Sequence, residues 1–375
     1  MRICFLLCCL LILCRCENPS GNQSSSGQSS DSIKYASGFT VKYVDEAKLV
    51  EVLNPYPGAK SGYRYLLVQH DRPVPANPYN ARIIRVPVKR IVCTSTTHIP
   101  LLDYLEETDA LTGFPTLDYI SSQKTRKRID DGKILDLGID KGMDIERLAL
   151  LKPDMVMGYT MTADIGQFKK IEEMGIPVVI NAEYLEKHPL GRAEWIKFMA
   201  LFFNKEKLAD SVFRAIEREY LITQDLVKTV TLKPTVLSGI LYRDAWFLPG
   251  GQNYAARLLR DAGCRYLWEA DSSNGFLELS FESVYARAQQ ADLWIGVASF
   301  TALSEMAAAD NRYTKFSPFI NRKVFTYNAR KGAKGGSEFL ELGYLRPDII
   351  LKDLVKIAHP ELLPDHKLYF HAQLQ

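Results

Sequence analysis

The sequence predicts an α/β protein whose two lobes have mainly parallel sheets and are joined by one long rigid helix. Short apolar runs alternate with segments of helical periodicity over residues 89–190 and again over 231–375. Such alternation indicates parallel strands covered by helices on both faces. The segment 191–230 keeps apolar residues at helical spacing throughout, and it therefore predicts the connecting helix.

The composition narrows the class of protein. The 375 residues are 47% hydrophobic and 24% charged, which suits a folded chain of two domains. The net charge of +3 is small for this length, and apart from a run at 124–128 the basic residues are scattered. The sequence therefore argues against nucleic-acid binding.

The N-terminus predicts a lipid anchor. Arg2 precedes an apolar run over 3–13, which fits the core of a secretory signal and is too short for a permanent membrane span. A cysteine closes this run and polar residues follow, as in a bacterial lipoprotein signal; Cys16 and Cys14 are both candidates, although neither follows a small residue. Residues 1–16 are thus predicted to be a lipoprotein signal peptide. Residues 17–34, rich in Ser, Gly and Asn, predict a flexible tether.

Five of the seven cysteines lie in this signal segment, which leaves Cys93 and Cys264 in the body. A chain of this length with one possible disulfide is not typical of the small secreted domains that disulfides stabilise. Both are predicted to be small buried residues.

Residues 35–88 predict a small antiparallel β attachment. "FTVKYV", "KLVEVLN" and "YRYLLVQH" alternate apolar and polar residues, and clusters of Pro, Gly and Asn separate them.

Each lobe then repeats strand and helix. In the first, "RIVC" predicts a strand, 94–97 a turn and 99–107 a helix. A strand at 111–114, a polar loop, the helix "DIERLALL" and the strand "MVM" follow, and a helix and the strand 178–180 complete the lobe. In the second, strands are predicted in "TVLSGILY", "AWFLPGG", "DLWIGVA" and "KVFTYNA", with helices in "NYAARLLRDAG", "SFESVYARAQQ" and "LRPDIILKDLVKIAHPEL".

No catalytic pattern accompanies these elements. The sequence lacks the phosphate loop GxxxxGK[ST], HExxH, GxSxG and a strand-coupled GxGxxG. The six histidines are dispersed without ligand-like pairing. We therefore expect neither an enzyme nor a metal site.

Five segments in a fixed order carry a family resemblance. They are "RIVCTSTTHIPLLDYL", "MDIERLALLKPDMVM", "MGIPVV", "AWFLPGGQNYAARLLRDAGCRYLW" and "LSFESVYARAQQADLWI", with the predicted long helix between the third and the fourth. From Arg90 to the C-terminus the chain resembles the iron-siderophore and cobalamin family of ABC-transporter substrate-binding proteins. Residues before Arg90 lie outside the usual core of that family.

The resemblance implies a binding protein without covalent chemistry or resident cofactor. It would hold a ferric siderophore, haem or cobalamin in the cleft between two rigid lobes and deliver it to an ABC permease and its ATPase. The implied protein is a monomer, lipid-anchored in the bacterial cell envelope and facing the periplasm.

The resemblance also implies permease docking by one acidic residue on each lobe. The matching positions are Glu146 in "MDIERL" and Glu282 in "LSFESV", each in a first helical turn after a cap-capable residue, Asp144 or Ser280. A carboxylate in a first turn gains about 0.3–1 kcal/mol from the helix dipole without any partner. Local helix stabilisation therefore stays an alternative.

Ligand contacts are expected where strands end at the cleft. The candidates are aromatic, hydroxyl and basic side chains suited to a large chelate with anionic groups: Thr96, Thr97, His98, Tyr119 and Tyr159 from the first lobe, and Trp246, Tyr254, Tyr327, Arg330 and Lys334 from the second. For the aromatic residues packing is the alternative, and for His98 it is a hydrogen bond at the helix start. The Gly-rich basic segment 329–339 either wraps an anionic ligand or is a solvated loop.

Two other functions remain open. A free metal-ion binding protein of similar shape would need histidines and carboxylates that converge in the cleft. A two-lobed metallocluster or chelatase-type enzyme would need cluster-ligating cysteines, and only Cys93 and Cys264 lie beyond the signal segment.

Overall fold

The computed structural model describes residues 33–375, apart from the side chain of residue 141. The predicted signal peptide, both candidate lipidation sites (Cys14 and Cys16) and most of the predicted tether lie outside the described residues. Within residues 33–375, no helix combines the length and apolar character needed to cross a membrane.

The described chain opens with a four-stranded sheet. Its strands lie in chain order and are β1 (Phe39–Val44), β2 (Ala47–Val52), β3 (Tyr63–Gln69) and β4 (Arg82–Val86). The first two pairings are antiparallel as predicted, whereas β4 runs parallel to β3, because the chain returns over residues 70–81 before β4 begins. Tyr65 and Ile84 on one face join the main core, and Leu49 and Leu66 on the other face form a separate small cluster.

The first lobe is a five-stranded parallel sheet in the order β7-β6-β5-β8-β9. Each residue of β5 and β8 is buried, because both strands have neighbours on either side and helices over both faces. Its elements are β5 (Ile91–Cys93), α1 (His98–Tyr104), β6 (Leu111–Phe114), α2 (Gln123–Asp130), β7 (Leu135–Asp136), α3 (Ile145–Leu151), β8 (Met155–Gly158), α4 (Gly166–Glu173) and β9 (Val178–Ile180).

Two of these helices differ from the sequence prediction. Helix α1 ends at Tyr104, three residues earlier than expected. Helix α2 lies in the segment predicted to be a polar loop, and it contains the basic run 124–128. Only Thr125 of α2 is buried, so the helix has no apolar stripe by which periodicity could reveal it.

Two helices stand where one long connecting helix was predicted: α5 (Pro189–Leu201) and α6 (Glu206–Leu226). Asn204 in the turn between them has a left-handed φ of 54°, which ends the helical hydrogen-bond ladder. The apolar periodicity nevertheless continues, because Phe202 and Phe203 in the turn are also buried.

The second lobe contains a five-stranded sheet in the order β13-β10-β15-β16-β17 and a three-stranded antiparallel sheet in the order β11-β12-β14. Only β17 is antiparallel in the larger sheet. The elements are β10 (Thr235–Ser238), β11 (Ile240–Tyr242), β12 (Ala245–Pro249), α7 (Tyr254–Asp261), β13 (Arg265–Tyr266), β14 (Phe276–Leu279), α8 (Phe281–Ala288), β15 (Leu293–Ile295), α9 (Leu303–Ala309), α10 (Ser317–Ile320), β16 (Val324–Thr326), α11 (Glu338–Leu342), α12 (Pro347–Ala358) and β17 (Ala372–Gln373).

The predicted fold class is therefore confirmed: the protein is mixed α/β with mainly parallel sheets. One continuous hydrophobic core runs from the N-terminal sheet through α5 and α6 into the second lobe. Cys93 and Cys264 are buried in this core, as the sequence predicted. Neither forms a disulfide within residues 33–375, a point that the sequence left open.

Buried carboxylates on and near α5 hold the start of the described chain. Glu194, with no exposed surface, accepts the backbone N–H groups of Lys34, Tyr35 and Ala36 at 2.7–3.0 Å. Glu186 accepts those of the next two residues, 37 and 38, at 2.8 and 2.7 Å. Five successive backbone N–H groups are thus fixed by two carboxylates.

Replacing Glu194 by alanine is expected to destabilise the protein by about 3 kcal/mol, because it leaves the backbone donors of residues 34–36 without their acceptor. Urea unfolding measures the loss, and hydrogen exchange should show faster exchange at those three amides. Glu217→Ala is the matched control, since within residues 33–375 Glu217 bonds the side chains of Lys34 and Tyr35 and no backbone N–H. Equal amide protection in wild type and Glu194→Ala would refute this account of the contact.

Candidate functional site

The carboxyl ends of the parallel strands in each lobe carry most of the predicted ligand residues. In the first lobe, Thr96, Thr97 and His98 follow β5, and Tyr159 follows β8. In the second lobe, Tyr327 and Arg330 follow β16. Such strand ends form the binding edge in open α/β sheets, because the loops there are free to vary while the sheet holds their bases.

A buried carboxyl lies directly beneath the turn after β5. The hydroxyl of Thr97 donates to Glu183 at 2.5 Å, instead of capping α1. Burial raises the pKa of Glu183 to about 7, and the Thr97 hydrogen bond opposes that rise. The second carboxyl oxygen of Glu183 has no hydrogen-bond partner among residues 33–375. The first-lobe edge therefore contains a carboxyl that titrates near neutral pH.

Glu183 gives the folded protein a specific pH dependence. Its folded-state pKa lies above the ordinary value of 4.5, so its contribution to stability is fully present below pH 4.5 and is lost as the pH rises through about 7. We expect the free energy of unfolding of wild type, relative to Glu183→Gln, to fall by roughly 3 kcal/mol at most across that window. Urea titrations at pH 4.5, 6 and 8 measure the difference. A difference that stays constant, or grows with pH, would contradict the assignment.

Two tyrosines frame the same edge. Tyr159 donates to Asp140 at 3.1 Å, and Tyr184 donates to the carbonyl of Thr160 at 2.6 Å. Burial raises the pKa of both phenols to about 12, so they remain protonated donors at neutral pH. A cavity of about 320 Å³ opens beside Tyr159, with Phe168 and Ile165 also in its lining.

His98 occupies the core and not the cleft surface. The side chain has no exposed area, and burial lowers its pKa to about 3. The imidazole is therefore neutral at physiological pH and has no surface to offer a ligand in this conformation.

Trp246 and Tyr254 likewise have packing positions. Trp246 has no exposed area, stacks on Trp294 at 5.3 Å and donates its indole N–H to the carbonyl of Ser238. Tyr254 is 7% exposed, and the guanidinium of Arg192 lies 3.8 Å from its ring centroid. The sequence placed both at the cleft because they stand near strand ends, but Trp246 packs within the second lobe and Tyr254 packs against Arg192 of α5.

Tyr327 and Arg330 remain accessible. Tyr327 is half-buried, with its ring 4.8 Å from that of Phe339. Arg330 is exposed, donates to Glu338 at 2.9 Å and lies 4.4 Å from the ring centroid of Tyr369. Lys334 and Tyr119 are both exposed. These positions suit ligand contact, which stays a prediction for each of them.

Sequence reasoning missed Glu183, Tyr184 and Phe247. Phe247 follows Trp246 on β12 and faces the opposite side of the strand, where it is half-exposed and lies 6.1 Å from Tyr242. Strand alternation in "AWFLP" could have shown that one of the two adjacent aromatics faces outward. Nothing in the sequence near residues 183 and 184 signals their pairing with residues 97 and 160, since both contacts join distant segments.

The proposed docking residues share one local geometry. Glu146 and Glu282 are exposed in the first turns of α3 and α8. The predicted caps are present: the Asp144 carboxylate accepts the N–H of Arg147 at 2.9 Å, and the Ser280 hydroxyl accepts that of Ser283 at 3.2 Å. Neither glutamate is needed for its own helix cap, although the Glu282 carboxylate interacts electrostatically with Arg312.

A second cavity of about 910 Å³ lies at the junction of the lobes. Residues of both lobes line it, and their charges are mixed in sign: Arg126, Lys127, Asp130 and Asp131 of the first lobe, and Arg330, Lys331, Glu338 and Glu341 of the second.

A comparison with models of known protein families shows to which family the chain belongs. The model described as "Periplasmic binding protein" matches residues 91–330, well over half of the chain. The chain belongs to the periplasmic binding protein family. The match begins at the first residue of β5, so the four-stranded N-terminal sheet lies before the shared family region.

The chain is also similar to a protein of known sequence and to solved structures. An uncharacterized lipoprotein of Methanocaldococcus jannaschii is 28% identical, with coverage of 90% of this chain and 84% of the relative. The residues after 90 make up a smaller share of the chain than the 90% that is covered. The aligned region therefore includes part of the N-terminal sheet. A possible iron-binding (periplasmic solute-binding) protein from Staphylococcus epidermidis has 18% identity and a TM-score of 0.55, covering 72% of this chain and 98% of that one.

The periplasmic heme-binding protein RhuT from Roseiflexus sp. RS-1, in its apo form, has 17% identity and a TM-score of 0.53. The match covers 71% of this chain and 99% of that one. At these identities the two structures show a shared two-lobed fold.

Proposed function

We propose that this periplasmic binding protein captures a metal chelate or corrinoid, namely a ferric siderophore, haem or cobalamin, and delivers it to the permease and ATPase of an ABC importer. The observation that carries the proposal is the set of accessible tyrosines at strand ends of both lobes, with Tyr159 and Tyr184 on one side and Tyr327 on the other. Phenols and aromatic faces suit a large chelate with polar edges.

Two further observations support this class of ligand. The solved structures with the same fold include a possible iron-binding protein and a heme-binding protein. Arg330 adds an exposed guanidinium at the second-lobe edge, which suits the carboxylates or catecholates of such ligands. The protein acts by binding and release, without covalent chemistry and without a resident cofactor.

The site of action is the cell envelope. The predicted lipoprotein signal and tether would hold the body at the membrane surface, facing the periplasm, and a relative is named a lipoprotein. The body works as a monomer that meets its permease through the exposed glutamates on α3 and α8.

A thermal-unfolding panel tests the ligand class. Haem, cobalamin, ferric siderophores and free divalent metals are added separately to the purified protein. Ligand at 100-fold above its Kd adds about 2.7 kcal/mol to the stability of the folded state, which raises Tm by several degrees. We expect a rise with at least one chelate or corrinoid. A rise with a free divalent metal alone would favour the metal-ion binding protein instead.

A further inference from the structure

The Gly-rich segment after β16 bridges the two lobes. Its backbone approaches the first lobe so closely that a Cβ atom on Gly336 would lie 2.0 Å from the carbonyl oxygen of Tyr119. A Cβ atom on Gly332 would lie 2.6 Å from the Cα of Ser121. Only glycine permits backbone contact at these distances. The glycines that suggested an anion-wrapping loop therefore serve a contact between lobes.

A buried carboxylate stabilises the same contact between the lobes. Glu341 of α11 is 2% exposed and accepts the backbone N–H groups of Ser121 and Ser122 at 2.7 and 2.8 Å. Each oxygen of the carboxylate takes one donor from the first lobe. Removing such an acceptor leaves two backbone donors without their partner, which is unfavourable wherever water cannot replace it.

On each lobe, hydrogen bonds within that lobe stabilise the segment that forms the contact. On the second lobe, the N–H of Gly332 donates to the carbonyl of Gly336 at 2.7 Å, which closes the segment into a small hairpin. On the first lobe, the hydroxyl of Ser122 donates to Asp103 at 2.5 Å and accepts the N–H of Thr125 at the start of α2. Rigid elements on both sides make the contact a fixed spacer.

Arg346 adds a second bond between the lobes. Its guanidinium donates to the Tyr104 hydroxyl of α1 at 2.8 Å. The fully buried carboxylate of Asp348 holds the guanidinium in place through two hydrogen bonds of 2.9 and 2.7 Å.

We propose that an inter-lobe latch, formed by residues 119–122, 330–337 and Glu341, sets the separation of the two lobes and so the spacing of Tyr119 and Tyr327. Tyr119 is part of the latch, and Tyr327 stacks on Phe339 of the helix that carries Glu341. Glu341 is a positioning residue that acts on the cleft through these neighbours. The lobe separation is independent of the proposed function, and only the effect on ligand affinity rests on it.

Distance measurement by pulsed electron paramagnetic resonance tests the latch in the full chain. Nitroxides are attached to a ketone-bearing amino acid at positions 173 and 315, one exposed site on each lobe, which leaves the cysteines unmodified. Wild type is expected to give one narrow distance distribution. Glu341→Ala and Gly336→Ala are expected to broaden it or shift it by several ångström.

Two controls isolate the effect. Gly275→Ala adds the same methyl group where nothing lies within 4 Å, and should match wild type. A label pair at 89 and 173, both in the first lobe, should be unchanged in every variant. If Glu341→Ala does not fold, Glu341→Gln, which keeps one acceptor oxygen, should still broaden the distribution. Distributions identical to wild type in folded variants at both positions would overturn the latch.

The ligand readout separates this inference from the proposed function. For a chelate that binds wild type, Glu341→Ala should lower the affinity at least tenfold while Gly275→Ala leaves it unchanged. A changed lobe distance with unchanged affinity would support the latch as a spacer but overturn its role in positioning the ligand residues. Absence of chelate binding in wild type would count against the proposed function and leave the distance result standing.

Discussion

Reversing two charges, Glu146→Lys together with Glu282→Lys, is expected to abolish uptake while ligand affinity stays at the wild-type value. Both carboxylates are exposed, stand in equivalent first turns on different lobes, and are dispensable for their own helix caps. Each reversal removes about 0.3–1 kcal/mol of helix-dipole stabilisation, which a folded chain of this size tolerates. Like charges placed against basic residues of a permease would prevent docking.

The measurement compares uptake of labelled chelate in cells with chelate affinity of the purified protein. Glu173→Lys with Glu361→Lys makes the same change of net charge at two other exposed positions and should retain uptake. Wild-type uptake by the Glu146/Glu282 variant would contradict the proposal that these two residues dock to the permease. Equal loss in the control variant would instead indicate a general charge effect.

Replacing Asp353 by alanine is expected to destabilise the protein by about 3–5 kcal/mol. This carboxylate of α12 has no exposed area and accepts the backbone N–H groups of Tyr369, Phe370 and His371 at 2.7–3.0 Å. The rings of His366 and His371 also bond it, at 2.7 and 3.1 Å. Without the carboxylate, the segment leading into β17 loses its attachment to α12.

Acidification should also lower the stability of the protein, because it protonates the Asp353 carboxylate. Burial alone would raise the pKa of Asp353, but the hydrogen bonds from His366 and His371 hold it well below its ordinary value of 3.8. A depressed folded-state pKa means that the contribution to stability is present above pH 3.8 and is lost as the pH falls further. Urea unfolding at pH 7 and pH 3 should therefore show the largest gap between wild type and Asp353→Ala at pH 7.

Asp365→Ala is the matched control, because Asp365 lies in the same C-terminal segment but is exposed. It should stay within about 0.5 kcal/mol of wild type. A stability of Asp353→Ala equal to that control would show that the C-terminal attachment does not depend on this carboxylate.

The lobes were predictable because their signal is local and repeated. Apolar strands such as β8 and β9 stand between helices with clear stops, and periodicity found them to within a residue. Short elements without an apolar stripe were not predictable. Helix α2 is polar on nearly all sides, and β17 is a two-residue edge strand whose partner, β16, is distant in sequence.

The connecting region shows a second limit of predicting helices from the sequence. Apolar residues at helical spacing run through 191–230, and the break between α5 and α6 depends on one left-handed residue, Asn204. Asparagine adopts that conformation more readily than most residues, but an asparagine within a helical pattern does not by itself predict a break. Periodicity alone cannot distinguish one long helix from two that pack side by side.

For the candidate site, the sequence located the correct strand ends but not the direction of each side chain. Trp246 and Phe247 are adjacent, and only packing against Trp294 shows that the tryptophan faces inward. Contacts such as Thr97 with Glu183 join segments far apart in the chain, and they become visible only when β5 and β9 are placed beside β8.

The most direct test of the central claim is a binding titration that uses variants of both lobes. Quenching of tryptophan fluorescence is followed as haem, cobalamin or a ferric siderophore is added to wild type, Tyr159→Ala and Tyr327→Ala. Chelate held between the lobes predicts one molecule per chain for wild type, with weaker affinity in both variants. Saturable binding by none of the chelates, or affinity unchanged by loss of either tyrosine, would contradict the account.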